Sequence, residues 1–327
     1  MSKVKNQHFV PRAYLRRWAD AHEKIWVYDA PIGKLFLSNV KNVASESYFY
    51  DTSIDDILDP DRAQFIERLL AELEGKYQKS LKTLLTAATA SIGIDVAFKR
   101  EFGYYLWVQW LRTPKFRDGL GVGPFAGLPK AETMMQIASF FEPTYLERFL
   151  DFVVSRTWVI VLALPQFQFP TTDAPLLIDT SKNELEASLA LIKTRNSGAE
   201  LDFGMEMFGL KFSLPLGPQH LLMLVDGAVF PEELEYADAV RDMRSDELSP
   251  LILSLIGSMD RQVFFARRGV ESEFFLKAMP IVRRVQAEGH STVIRSILER
   301  GAITDDDSSA VALAQSMIND LTSQSGQ

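Results

Sequence analysis

The chain has 327 residues, 47% hydrophobic and 24% charged, with a formal net charge of -8. These are the proportions of a folded globular protein, long enough for one large domain or two modest ones. The negative charge excludes a general attraction to nucleic acid, so any phosphate binding must come from a local basic patch. The absence of cysteine excludes disulfides, thiol nucleophiles and cysteine-type zinc sites, and it fits a reducing cytoplasm.

The first residues are polar and lack the apolar core of a secretory signal. The longest apolar run, Trp158 to Leu164, is far short of the roughly 20 residues that span a bilayer, so no membrane association is expected. The histidines, His8, His22, His220 and His290, never stand four apart, and no two-histidine metal motif exists. There is also no glycine-rich phosphate loop and no Gly-x-Ser-x-Gly elbow. P-loop hydrolysis, α/β-hydrolase chemistry and the common zinc proteases are therefore excluded.

In chain order, Pro11 suits the first position of a helix running to about Ala19, with Tyr14, Leu15 and Trp18 on its apolar face. The apolar runs at 25–28 and 35–37, separated by Asp29-Ala30-Pro31-Ile32-Gly33, predict a hairpin, with Tyr48-Phe49-Tyr50 as a third short strand. Helices follow at 61–86, 94–117 and 130–154. The period then changes. Trp158 to Leu164 reads as a buried strand, with further strands at 176–178, 208–214 and 221–225. Residues 179–203 read as a loop with a short helix at 185–192, and from Pro231 the chain reads as helical, with Asp305-Asp306-Asp307 opening the last helix. The expected fold is α+β, a mainly helical single domain with a small antiparallel sheet and an N-terminal β-hairpin. Its parts are the N-terminal helix and hairpin (1–55), helices (56–155), central strands (156–228) and C-terminal helices (229–323).

Five groups of residues carry candidate chemistry. Residues 1–24 hold six Lys or Arg against two acids. Within them, Gln7 and His8 stand just before a helix start, with Arg12 one turn on. A helix start attracts anions, a guanidinium fork fits phosphate or carboxylate, and histidine titrates near neutrality. At the end of the third predicted helix, Gln109 and Arg112 continue an aromatic stripe through Phe102 and Tyr105. A buried guanidinium needs a carboxylate, a ligand or carbonyls as partners. Glu67 and Glu74 lie one heptad apart, about 10 Å along their helix, too far to share one metal ion but suited to pair Arg112 or Arg12. Pro170-Thr171-Thr172-Asp173-Ala174-Pro175 puts a carboxylate, with Thr172 beside it, on a loop at strand ends. Turn chemistry explains the same segment equally well. His220 follows a Gly-Pro turn and reads as the start of a strand.

Four of these stretches, in order, resemble a family of bacterial and viral proteins, the domain of unknown function 4238 family. They are Gln7-His8-Phe9-Val10-Pro11-Arg12-Ala13-Tyr14-Leu15, Gln109-Trp110-Leu111-Arg112-Thr113-Pro114, Thr171-Thr172-Asp173-Ala174-Pro175 and Phe212-Ser213-Leu214-Pro215-Leu216-Gly217-Pro218. Trp26-Val27-Tyr28-Asp29 also fits. Thr172 and Ala174 stand where the family usually has serine and asparagine. The resemblance implies one domain with one shared site over roughly residues 6–270. It supplies neither an activity nor a substrate.

Three readings remain open. The first is a hydrolase or nuclease-like phosphoryl-transfer enzyme. There His8 and Asp173 would be catalytic, and Gln7, Arg12, Gln109, Arg112 and Thr172 would hold the ligand. Glu67 and Glu74 would support them, and Asp173 would ligate Mg²⁺ if a metal takes part. The second is a non-catalytic module that binds or senses an anionic small molecule or nucleic acid through the same residues. The third is a polar cluster that is only structural.

Overall fold

The computed structural model describes residues 4–52, 64–179, 210–244, 247–276 and 279. The predicted elements at 185–192 and after 305 lie outside them.

The N-terminal segment forms a strand before it forms a helix. Strand β1 (Asn6–His8) pairs antiparallel with β4 (Ser45–Ser47), His8 facing Ser45. The chain then enters helix α1 (Arg12–Leu15), continued by a 3-10 turn to Trp18. Pro11 is the cap residue, with extended ψ, rather than the first helical residue. The hairpin of β2 (Lys24–Asp29) and β3 (Lys34–Asn39) forms as its sequence predicts, closing through Gly33 at φ +64°. Tyr48 to Tyr50 is a turn, not a strand. The strand lies just before it, where three polar residues give no apolar alternation to read.

Helix α2 (Phe65–Thr89) buries Ile66, Leu70, Tyr77, Leu81, Leu84 and Ala88 along one stripe. Helix α3 (Val96–Leu111) starts at Asp95, whose carboxylate accepts the Phe98 N–H at 2.7 Å. Residues 102, 103, 105–109 and 111 of α3 are all buried, because other elements cover most of its C-terminal half. Gly103 permits the close approach of α6 (Pro143–Ser155), since a Cβ there would sit 3.0 Å from Leu150.

Two predicted helices each divide in two, both times at a proline. Thr113 caps a new helix, α4 (Pro114–Gly119), and Glu142 caps α6, leaving α5 (Ala131–Phe140) as a separate helix. Proline has no N–H to continue the ladder behind it and is well suited to a first turn.

The central strands make a five-stranded sheet in the order β10-β5-β9-β8-β7, formed by β5 (Thr157–Leu162), β7 (Leu177–Asp179), β8 (Lys211–Gly217), β9 (His220–Val225) and β10 (Ala239–Asp242). Its pairs are antiparallel except β10 on β5. Alternate residues of the continuous apolar runs face two cores. Trp158, Ile160, Leu222 and Leu224 pack with α2, α3 and α6 in one, and Val159, Val161, Leu221 and Met223 pack in the other. That is why the strands read as unbroken apolar stretches.

The stretch after Pro231 is the largest correction. It contains a 3-10 segment (Pro231–Tyr236), β10, helix α7 (Leu248–Ser258), β11 (Gln262–Phe265) and then α8 at 270–276. Strand β11 lies between β2 and β6 (Thr171–Thr172) in a four-stranded sheet, β3-β2-β11-β6. The N-terminal hairpin is thus completed by residues more than two hundred positions later. The fold is α+β and mainly helical, as expected, with three sheets among the described residues in place of one. No described helix is long and apolar enough to cross a membrane.

Candidate functional site

The fold gathers the first two singled-out segments around the C-terminal end of α3. Arg112 is the cap residue there, where a cation suits the negative end of the helix dipole. It is only 3% exposed. Its Nη1 and Nη2 donate to Glu74 Oε1 at 3.2 and 3.3 Å, and Nη2 also donates to the His8 carbonyl at 2.5 Å. Glu74 is therefore the acid that Arg112 requires. Glu67 lies close enough to act on the charge of both Tyr50 and Arg112.

The main chain of this turn is equally well held. Tyr50 donates its hydroxyl to the Arg112 carbonyl at 3.1 Å. Gln136 Nε2, fully buried on α5, donates to the carbonyls of Leu111 and Thr113 at 2.8 and 3.1 Å. Burial pushes the Tyr50 hydroxyl up to about 12, so it stays protonated as a donor. Gln7 has a similar duty. Its amide donates to Asp51 Oδ1 at 2.6 Å and accepts the Tyr50 N–H at 2.7 Å, pinning residues 50–51 against β1.

His8 is half-buried next to these groups. Burial and the positive charges of Arg12 and Arg112 pull its imidazole down to about 4, while the carbonyls of Val40 and Lys41 favour the charged form. It is neutral at pH 7. Its Nε2 and the Nε of Arg12 are screened from solvent and have no hydrogen-bond partner. Among the described residues Arg12 pairs only with Glu23, at 3.6 Å and largely exposed.

Gln109 lies on the inner side of Arg112. Both line a cavity of about 30 Å³ with Glu74, Tyr14, Tyr77 and Tyr105. That volume suits a water molecule and no organic ligand. Arg112 Nε, Gln109 Nε2 and the Tyr77 hydroxyl reach the same region without hydrogen-bond partners.

The third segment serves another purpose. Asp173 is 1% exposed. Its Oδ1 accepts the Asp260 N–H at 2.9 Å, and its Oδ2 accepts those of Arg261 and Gln262, both at 2.7 Å. Burial pushes its carboxyl up to about 6 against the pull of these donors. Thr172 Oγ1 accepts the Ala174 N–H at 3.2 Å and meets Ser258 Oγ at 3.3 Å. Thr171 Oγ1 meets the Tyr14 hydroxyl, which donates to the Pro215 carbonyl at 2.6 Å. The segment ties the start of β11 to α1 and β8.

No hydrogen bond or ion pair joins His8 to Asp173. They are joined only indirectly, through Gln262, Ala44 and Phe9: Gln262 accepts the Ala44 N–H at 3.2 Å through its side chain, and the Ala44 carbonyl accepts the Phe9 N–H at 3.0 Å. His220 begins β9, half-buried, with burial and Arg17 lowering its imidazole. Among the described residues no group of three His, Asp or Glu is placed to hold a metal ion.

Sequence reasoning missed Tyr50, Asp51, Gln136 and Gln262. Gln136 had a local signal, being a polar residue in the apolar stripe of α5 that includes Met134 and Ile137. Tyr50 and Gln262 act through main-chain bonds that no side-chain pattern announces, and Asp51 through side-chain amides distant in sequence.

The result is an α+β protein built around a buried arginine paired with a half-buried glutamate, with a neutral histidine beside it. The chain belongs to the family described as Protein of unknown function (DUF4238), whose model matches residues 6–268. No curated protein and no solved structure matches it.

Proposed function

We propose that the protein is a binding module for a small anion, received between His8 and Arg12 with Arg112 behind them. The observation that carries this reading is the donor-rich edge. Two guanidiniums flank one imidazole, and His8 Nε2 and Arg12 Nε both lack a partner while screened from water. Arg112 is fixed by Glu74 and the His8 carbonyl, so it contributes charge without moving. An anion here supplies the counter-charge and draws a proton onto the imidazole.

The phosphoryl-transfer reading has less support. It needs Asp173 as a base, as the orienter of His8 or as a Mg²⁺ ligand, yet both carboxylate oxygens are taken up by main-chain N–H groups. Gln7, Thr172 and Asp173 then act as scaffold, and Gln109 closes the inner wall.

Calorimetric titration of the full chain with inorganic sulfate, whose charge is constant between pH 5 and 7, tests the reading. Binding should be roughly tenfold or more tighter at pH 5 than at pH 7, because the anion takes up a proton with it. Arg12→Gln should weaken it about tenfold without changing thermal stability. Equal binding by wild type and Arg12→Gln at both pH values would leave only the structural role of the cluster.

A further inference from the structure

A second basic feature lies further along α2, at a groove whose lining includes no residue of the four family-like segments. Helix α2 and its cap residue Ala90 present Gln78, Lys82, Thr86 and Ala90 in one row, with Leu85 and Thr89 beside it. Opposite them stands Arg17 from the 3-10 turn after α1. Together they line a groove of about 720 Å³, within the range of small-molecule sites.

The lining contains two cations, one amide, two hydroxyls and no carboxylate. Among the described residues no acid forms an ion pair with Arg17 or Lys82, in a chain of net charge -8. Arg17 Nε and Gln78 Nε2 are screened from solvent and have no hydrogen-bond partner. Arg17 lies against Gly217, where a Cβ would stand 3.0 Å from its Nε and Nη2. Its charge is felt by Tyr14, Tyr77 and His220 around it. The guanidinium therefore packs against backbone and has no partner acid among the described residues. Leu85 and Ala90 give the groove an apolar side.

We infer that this groove binds a small molecule carrying a phosphate monoester, the phosphate between Arg17 and Lys82 and the remainder over Leu85 and Ala90. A guanidinium fork matches phosphate oxygens, an ammonium adds a point charge, and Gln78, Thr86 and Thr89 supply further donors. Two cations in one groove suit a single phosphate. A nucleic-acid strand would need a longer basic track.

The test uses the full chain with adenosine monophosphate and adenosine as probes, read by calorimetry. Adenosine monophosphate should bind and adenosine should not. Lys82→Gln, at a residue with no ion pair among the described residues, should weaken binding about tenfold with thermal stability unchanged. Gly217→Ala should weaken it as well by displacing Arg17. Arg12→Gln should leave it intact, which separates this site from the one at His8. Equal binding of adenosine, no effect of Lys82→Gln, or no binding of adenosine monophosphate would each overturn the inference. So would a single-stranded oligonucleotide that binds through Lys82 where the monophosphate does not.

Discussion

Replacing Arg112 by methionine removes a fork that serves two acceptors at once. The His8 carbonyl loses its donor, which costs about 1–3 kcal/mol for a buried acceptor left unmade. Glu74 loses its counter-charge, but its side chain is 25% exposed, so water recovers part of that loss. The sum is about 3 kcal/mol, at the lower end of the range for breaking a buried pair. For a chain of this size that corresponds to a fall of about 4–5 °C in Tm, measured by calorimetry or circular dichroism. Glu74→Gln keeps an oxygen facing the guanidinium and should cost only about 1 kcal/mol. The double variant Arg112→Met, Glu74→Leu should cost less than its two single changes together, because no charge is then stranded. A loss below about 1 kcal/mol for Arg112→Met, or strict additivity in the cycle, would refute the view that this pair organises the end of α3.

Asp173→Ala strands three main-chain N–H groups and should cost about 3 kcal/mol or more in chemical denaturation, whereas Thr172→Ala should cost about 1 kcal/mol. Tyr14→Phe removes the bond to the Pro215 carbonyl and should lower stability by about 1–2 kcal/mol. His8 gives a pH dependence of defined sign. Above pH 6.5 it is neutral in both states, and as pH falls from 6.5 to about 4 only the unfolded chain takes up the proton, so stability falls. Asp173 acts in the opposite sense, its folded form holding a proton between pH 3.8 and about 6 where the unfolded one does not. The stability difference between wild type and His8→Gln isolates the histidine. It should shift by about 2 kcal/mol against wild type between pH 7 and pH 4, after allowance for the solvent that reaches the ring.

The hairpin at 24–39 was legible because two apolar runs flank turn residues. So was the need of Arg112 for an acid, because it continues a buried stripe and a guanidinium cannot be stranded there. Helix ends at Pro114 and Pro143 were present in the sequence but read through, since the apolar period resumes after each proline with the phase reset. Strands β1 and β4 are three residues long and polar, and their pairing comes from tertiary context alone. Strand β11 has only Val263, Phe264 and Phe265 to mark it, and its partners lie far away in sequence. The role of Asp173 was the hardest to see. Its partners are backbone N–H groups of a distant turn, and every residue but proline has one.

The ring signals of His8, assigned by loss in His8→Gln and followed by NMR through pH 3–8, put the matter to trial. In anion-free buffer the ring should titrate near pH 4, and saturating sulfate should raise that midpoint by about two pH units or more. A ring that titrates at 6.5 without sulfate, or one whose midpoint sulfate leaves unmoved, would contradict the picture of a neutral histidine held between two guanidiniums and awaiting a negative charge.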